Sequence, residues 1–312
     1  MPRGCTKPLY ILPFDHRGSF VSKLFGWKGA LSAEQSAQVS VTKLVAYDGF
    51  EAAVAGGIDE GQAGILLDEH FGPDILRAAR SGGIITCAPV EKSGQDEFDF
   101  EFGEDFAADV DALAPTLCKV LVRYNPEGDA ALNQRQSHRL RRLSDFLSNG
   151  PPKFMLELLM PAKSSQLDAV AGNSQAYDRK LRPALMLRVI CELQDTGVDP
   201  DVWKVEGLDS RDDCERIMAT ARHDGRANIG CIVLGRGENK QHVRAWLAIA
   251  AGVPGFVAFA VGRTTFWEPL IGLRDGKIDR AAAVTEIAKR CCNCVDIFET
   301  ARAAAGASVT HG

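Results

Sequence analysis

Eight short apolar runs, each followed by a stretch of helical periodicity, recur from end to end of these 312 residues. They are Leu9–Phe14, Ala63–Asp68, Ile84–Pro89, Leu117–Arg123, Phe154–Leu159, Asp201–Glu206, Gly230–Leu234 and Phe256–Val261, each bounded by polar, Gly or Pro residues. Between them, Ser32-Ala-Glu-Gln35 has the form of a capping box, and Val41, Leu44 and Val45 follow at helical spacing. Further stripes are Leu140, Leu143, Leu147; Leu185, Val189, Leu193; and Val243, Trp246, Leu247, Ala250. Strands that alternate with helices build parallel sheets, and eight repeats at this length predict an α/β fold, a single (β/α)8 TIM barrel. A doubly wound open sheet is the alternative; it is disfavoured because no Gly-rich phosphate fingerprint follows the first strand.

No Pro-, Gly- or Ser-rich linker divides the chain, so the barrel is expected over residues 1–300, with a flexible Ala- and Gly-rich tail at 301–312. The acidic stretch Glu91–Glu104 is expected to loop over the barrel top. Thirty-six basic and 41 acidic residues give a formal net charge of −5, with no block of like charge, which argues against a nucleic-acid or anionic-membrane surface. The apolar runs are too short to span a bilayer, and the first residues contain no apolar signal region, so a cytoplasmic protein is expected. Nine cysteines, many at apolar positions, fit reduced thiols behaving as small hydrophobes. Cys291, Cys292 and Cys294 lie in a helical segment whose stripe is Val284, Ile287, Ala288, Cys291, Val295 and Phe298, so packing is expected there rather than metal.

Three charged residues interrupt these strands. Lys119, Glu157 and Lys204 sit in the middle of runs four, five and six. Lys and Glu are almost never fully buried unless paired, so three in consecutive strands point to a site. Alternation puts Lys119, Leu121 and Arg123 on one face, Met155, Glu157 and Leu159 on another, and Val202, Lys204 and Glu206 on a third. The simplest placement makes Lys119, Glu157 and Lys204 neighbours inside the barrel. A lysine attacks a carbonyl only as the neutral amine, and about one in a few thousand is neutral at pH 7. Burial and a nearby cation both raise that fraction. Lys119 would supply that cation to Lys204, and Glu157 would carry protons during Schiff-base formation. The competing reading is an ion network that merely fills the barrel, which is a costly filling.

Strand seven runs into Gly235-Arg236-Gly237 and strand eight into Gly262-Arg263. Barrels often hold a phosphate between these loops, where backbone N–H groups and arginine reach it. Solvated turns are the alternative. Asp15, Arg17, Lys92 and Arg123 follow other strand ends and are candidate substrate contacts. The six histidines show no paired ligand spacing, so neither metal nor cofactor is expected.

The segments Ile11-Leu-Pro-Phe-Asp-His-Arg-Gly18, Gly64-Ile-Leu-Leu-Asp-Glu69, Glu91-Lys-Ser-Gly94, Lys119-Val-Leu-Val-Arg-Tyr124 and Trp203-Lys-Val-Glu206 resemble class I aldolases related to tagatose-bisphosphate aldolase. Pro89–Phe100, Val122–Asp129 and Gly262–Trp267 resemble more closely the bacterial 5-dehydro-2-deoxy-phosphogluconate aldolase domain of inositol catabolism. That domain is often fused behind a sugar kinase, which these residues do not include. The resemblance spans about Leu9 to Phe298. It implies that Lys204 forms the Schiff base, that Lys119 and Glu157 assist, and that Gly235, Arg236, Gly262 and Arg263 hold phosphate. It further implies a lyase that splits 6-phospho-5-dehydro-2-deoxy-D-gluconate into glycerone phosphate and malonate semialdehyde. Arg17, Lys92 or Arg123 would hold the carboxylate. Rival expectations are an aldolase for tagatose bisphosphate or a sulfonated keto sugar, and a non-catalytic sugar-phosphate-binding barrel. Trp27 and Trp267 are read as exposed aromatics that leave room for a homo-oligomer.

Overall fold

The computed structural model describes residues 4–236 and 239–309, with the side chains of residues 308 and 309 left out. Its strands are β1 (Leu9–Pro13), β2 (Ala63–Leu66), β3 (Ile85–Pro89), β4 (Leu117–Arg123), β5 (Lys153–Leu159), β6 (Val202–Glu206), β7 (Gly230–Leu234) and β8 (Phe256–Ala260). All neighbours pair in parallel, and β8 returns to β1, so the sheet closes in the order β1 to β8. The fold is therefore a single (β/α)8 barrel, and all eight predicted strands are present.

Two cores follow from the alternation of side chains along each strand. Leu9, Ile11, Leu66, Cys87, Leu117, Met155, Val202 and Ile232 fill the barrel interior. A larger core lies between the strands and the surrounding helices, and includes Trp203, Trp246, Leu140, Leu143, Val189 and Leu193. Asp201, placed by sequence at the start of a strand, instead closes the lower end: its carboxylate accepts from the Phe154 N–H at 2.8 Å and from the Gly4 N–H.

The first long helix, Ala33–Ala55, begins with the expected capping box. Gln35 N–H donates to Ser32 Oγ at 3.2 Å, and Ser32 N–H to Gln35 Oε1 at 2.9 Å. Its buried face differs from the expected stripe. Val41 is 61% exposed and Leu44 also faces out, whereas Lys43 is fully buried beside Val39, Ala46, Tyr47 and Phe50. The Lys43 ammonium is accommodated there because it donates to the Phe14 carbonyl at 2.8 Å and to Asp68, between the faces of Phe20 and Phe71.

The last helix, Arg280–Val309, packs on Ala33–Ala55 through Ala283, Ile287, Cys291 and Phe298. It covers most of the segment expected as a tail; residues 310–312 lie outside the described residues. The acidic stretch after β3 is tied down by an antiparallel bridge from Glu91 to Phe100 and by Arg135 and Arg139 on Glu97. Among the described residues no helix is long and apolar enough to cross a membrane.

Candidate active site

The carboxyl ends of the strands surround a cavity of about 640 Å³. Glu157 on β5 stands opposite Lys204 on β6 in register. Lys119 stands opposite Met155, one inward position earlier on the pleat, and Leu121 opposite Glu157. The flexible stem of Lys119 makes up the difference, and the three charged heads converge. Lys204 Nζ donates to Glu157 Oε2 at 2.8 Å, and Lys119 Nζ lies 3.2 Å from the same oxygen. Lys119 also donates to Asp15 Oδ2 at 2.9 Å and to Glu91 Oε1 at 2.6 Å. Lys119, Glu157 and Lys204 are 2%, 7% and 3% exposed, so these contacts operate out of bulk water.

The electrostatics divide the carboxylates. Burial works against the Lys119 cation, but Asp15, Glu91 and Glu157 together hold it protonated well above the usual lysine value. Burial also opposes ionisation of Asp15 and Glu157, and the two lysines overcome it, so both carboxyls are held below their ordinary range. For Glu91, burial prevails over Lys119 and the carboxyl is pushed up. Lys119 was read from sequence as a cation acting on Lys204. The geometry adds that it is the hub of three carboxylates.

The other sequence-designated residues all border the cavity, with different degrees of commitment. Arg17 donates to Glu101 Oε2 at 2.9 Å and to the Glu91 carbonyl. Lys92 pairs with Asp99 at 2.9 Å, and Arg123 donates to the Gln95 carbonyl at 2.6 Å. Arg236 binds Asp178 Oδ1 at 2.7 Å and Glu206 Oε1 at 3.1 Å. Arg263 opens the helix Arg263–Arg274 and makes no ion pair with a carboxylate among the described residues. Gly262 has a steric reason to be glycine, since an added Cβ would lie 2.1 Å from the Pro13 carbonyl oxygen; at Gly235 the nearest atom would be an ordinary 3.6 Å away. Gly237 of the Gly-Arg-Gly motif lies outside the described residues.

Glu91 and His16 are weightier than the sequence suggested. Both follow strand ends, and that position was the available signal. The His16 ring meets Phe266 edge-on at 6.3 Å, and burial pushes its pKa down to about 4, so it is neutral at physiological pH. Trp267, read as exposed, is half-buried against Phe20 and lines the cavity; Trp27 is half-buried and stacks on Phe25 at 4.4 Å. Eight lysine and arginine side chains but only three carboxylates line this cavity, in a chain of net charge −5. That local reversal of sign attracts anions. Among the described residues, no group of three or more His, Cys, Asp or Glu is disposed to hold a metal ion.

Fold and site together define a (β/α)8 barrel with a buried lysine–carboxylate cluster at the floor of a cationic mouth. Over residues 2–302 the chain matches the family described as "Uncharacterized protein conserved in bacteria (DUF2090)", and it belongs to that family. No curated protein matches it by sequence. Among solved structures, fructose-bisphosphate aldolase from Plasmodium falciparum is similar in fold, with a TM-score of 0.62 at 15% identity, covering 94% of this chain and 91% of the other. Cgl0159 from Corynebacterium glutamicum gives 0.56 at 17% identity, over 91% and 85%. A Schiff-base-forming fructose-1,6-bisphosphate aldolase gives 0.55 at 12% identity, over 90% and 93%.

Proposed function

We propose that the protein is a class I aldolase that cleaves a phosphorylated keto sugar acid through a Schiff base on Lys204. The observation that carries this reading is the buried Lys204 amine, 2.8 Å from Glu157 at the floor of the cavity. Glu157 takes a proton from the amine as it adds to the ketone and returns one to the carbinolamine oxygen, so that water leaves. The iminium then draws in the electrons of the carbon–carbon bond beyond the adjacent carbon. For 6-phospho-5-dehydro-2-deoxy-D-gluconate the imine forms at C5, the C3–C4 bond breaks, and the C3 hydroxyl gives its proton to Glu157, which is ionised again once the water has left. Malonate semialdehyde departs. The enamine is protonated at C4 and hydrolysed to glycerone phosphate.

The protonated Lys119 supplies a fixed positive charge beside these steps. Arg263, Arg236 and the backbone at Gly262 take the phosphate. Lys92 and Arg123 take the carboxylate from the ends of β3 and β4, across the closed ring from β7 and β8. Arg17, which follows β1 beside β8, joins them only because its guanidinium reaches over to the Glu91 carbonyl and Glu101. The sequence resemblance to the inositol-catabolism aldolase supports this substrate, and the likeness in fold to fructose-bisphosphate aldolases supports the chemistry. A bisphosphorylated ketose also has two anionic ends and is the second reading.

Borohydride reduction in the presence of glycerone phosphate tests the mechanism. A covalent adduct mapped to Lys204 is expected, and its absence, or its persistence in Lys204→Ala, refutes the assignment. Turnover across a panel of the deoxy-keto acid phosphate, tagatose bisphosphate and a sulfonated keto sugar separates the substrates.

A further inference from the structure

An aldolase of this kind has to hold one proton in reserve. The substrate hydroxyl releases it when the carbon–carbon bond breaks. The enamine recovers a proton only after the aldehyde has left. Glu157 is the nearest acceptor but a poor keeper, because its Oε2 lies 3.2 Å from the Lys119 ammonium, which favours the ionised form and stays charged while Lys204 is bonded to the substrate. Asp15, 2.9 Å from Lys119, is ionised for the same reason.

Glu91 differs. Its Oε1 accepts from Lys119 at 2.6 Å, while its Oε2 is buried and has no hydrogen-bond partner. A buried, unpaired carboxylate oxygen is costly, and a proton on the carboxyl removes the charge that makes it so. The charged groups that act on it are Lys119 from β4 and Asp15 and Arg17 beyond β1, and Glu157 from β5 and Lys204 from β6 line the same cavity. Arg17 does not neutralise the carboxyl; its guanidinium is directed to the Glu91 carbonyl and to Glu101. Burial holds Glu91 above the ordinary carboxyl range in spite of Lys119. The Lys119 ammonium bridges Glu91 Oε1 and Glu157 Oε2, so it can take a proton from one carboxyl as it gives one to the other.

We propose that Glu91 is the proton store of this site, loaded through Lys119 after Glu157 receives the substrate hydroxyl proton and unloaded by the same route when the enamine is reprotonated. This rests on the aldolase reading above. One O–H bond breaks on the substrate and one forms on Glu91; that bond later breaks as the new C–H bond forms. Lys119 is an ammonium before and after each transfer, and no net proton is consumed.

The test is deuterium exchange into glycerone phosphate in heavy water, followed by NMR across pH, beside borohydride trapping. In Glu91→Gln the adduct at Lys204 should persist, while exchange falls about 100-fold or more, the scale of a lost acid–base group. The acid-side fall in exchange rate expected of the wild type should vanish. Glu91→Asp should keep that fall and exchange within about 10-fold of the wild type. Exchange at the wild-type rate with an unchanged pH profile in Glu91→Gln overturns the proposal, as does a folded Glu91→Gln that gives no adduct. Should Glu91→Gln not fold, carbon-13 titration of the wild type decides: a cavity carboxyl, assigned through Glu91→Asp, that titrates above the ordinary value of about 4.3 supports the store, and an ordinary value refutes it. A wild-type protein that neither traps nor exchanges defeats the aldolase reading, and this proposal with it.

Discussion

Lys204 and Glu157 stand opposite each other on neighbouring strands and share a 2.8 Å hydrogen bond at the floor of the cavity. Glu157 keeps a second cation, Lys119, when Lys204 is removed. Lys204→Met should therefore fold with a loss of stability well below the 3–5 kcal/mol or so that an orphaned buried charge costs. Its cleavage activity should fall by about 10⁴-fold or more, the scale of deleting a covalent nucleophile. Circular dichroism and turnover measured on one preparation check both statements. A variant that still cleaves within about tenfold of wild type would show that the nucleophile is elsewhere.

Lys119→Met removes the common partner of Asp15, Glu91 and Glu157. It should lose about 3–5 kcal/mol at neutral pH, because Asp15 and Glu91 lose their ion pair beside an apolar side chain, while Glu157 keeps Lys204. In the wild type, Asp15 and Glu157 have folded values below their unfolded ones. Their stabilisation is present above the unfolded carboxyl range and is lost as pH falls through the folded values. Lys119 has a folded value above its unfolded one, so its share is fully present below the unfolded lysine value and is lost only in strong alkali. Removing the lysine should reverse the acid limb: the stranded carboxyls bind protons more readily when folded, so Lys119→Met gains stability as pH drops from 7 towards 5. Urea unfolding at both pH values tests the sign, and parallel behaviour of the two proteins would contradict it.

The barrel was legible because each strand is an apolar run of the right length, and the cluster because charge at Lys119, Glu157 and Lys204 violates that rule on consecutive strands. The period of two then places them inside. Lys43 was not legible. In the helix Ala33–Ala55 a polar residue at one position looks like the solvent side, and only its tertiary partners Asp68, Phe14, Phe20 and Phe71 make its burial tolerable. The role of Glu91 was hidden for a related reason. It follows a strand end like several other charged residues, and its pairing with Lys119, 28 positions away, exists only in the closed ring.

The two glycines of the expected phosphate wall should behave differently. A Cβ at Gly262 would lie 2.1 Å from the Pro13 carbonyl oxygen, and backbone cannot step aside as a flexible side chain does. Gly262→Ala is expected to cost about 1–3 kcal/mol by forcing β8's end away from β1. Gly235→Ala meets only ordinary contacts at 3.6 Å and should stay within about 0.5 kcal/mol of the wild type. Thermal unfolding of the pair is the check; equal losses would mean that the β8–β1 junction gives way more easily than its geometry implies.

The two arginines of that wall make the sharpest comparison. Arg236 lies 2.7 Å from Asp178 and 3.1 Å from Glu206, whose carboxyl is buried and pushed up by that burial. Arg263 makes no such ion pair among the described residues and opens a helix whose N-terminal N–H groups border the same cavity. If both hold the phosphate, either alanine variant weakens binding of a phosphorylated substrate by about 10- to 100-fold, as expected for the loss of a charge-assisted hydrogen bond worth roughly 1.5–3 kcal/mol. Stability should separate them. Arg263→Ala should unfold within about 0.5 kcal/mol of the wild type. Arg236→Ala removes a partner from Glu206 and should lose about 1–3 kcal/mol, with the deficit shrinking in acid as Glu206 is protonated. Inorganic phosphate titrated into each variant, with unfolding midpoints measured in parallel, reads both quantities. Undiminished phosphate binding in Arg263→Ala would remove the helix Arg263–Arg274 from the anion site and leave the wall to β7 alone.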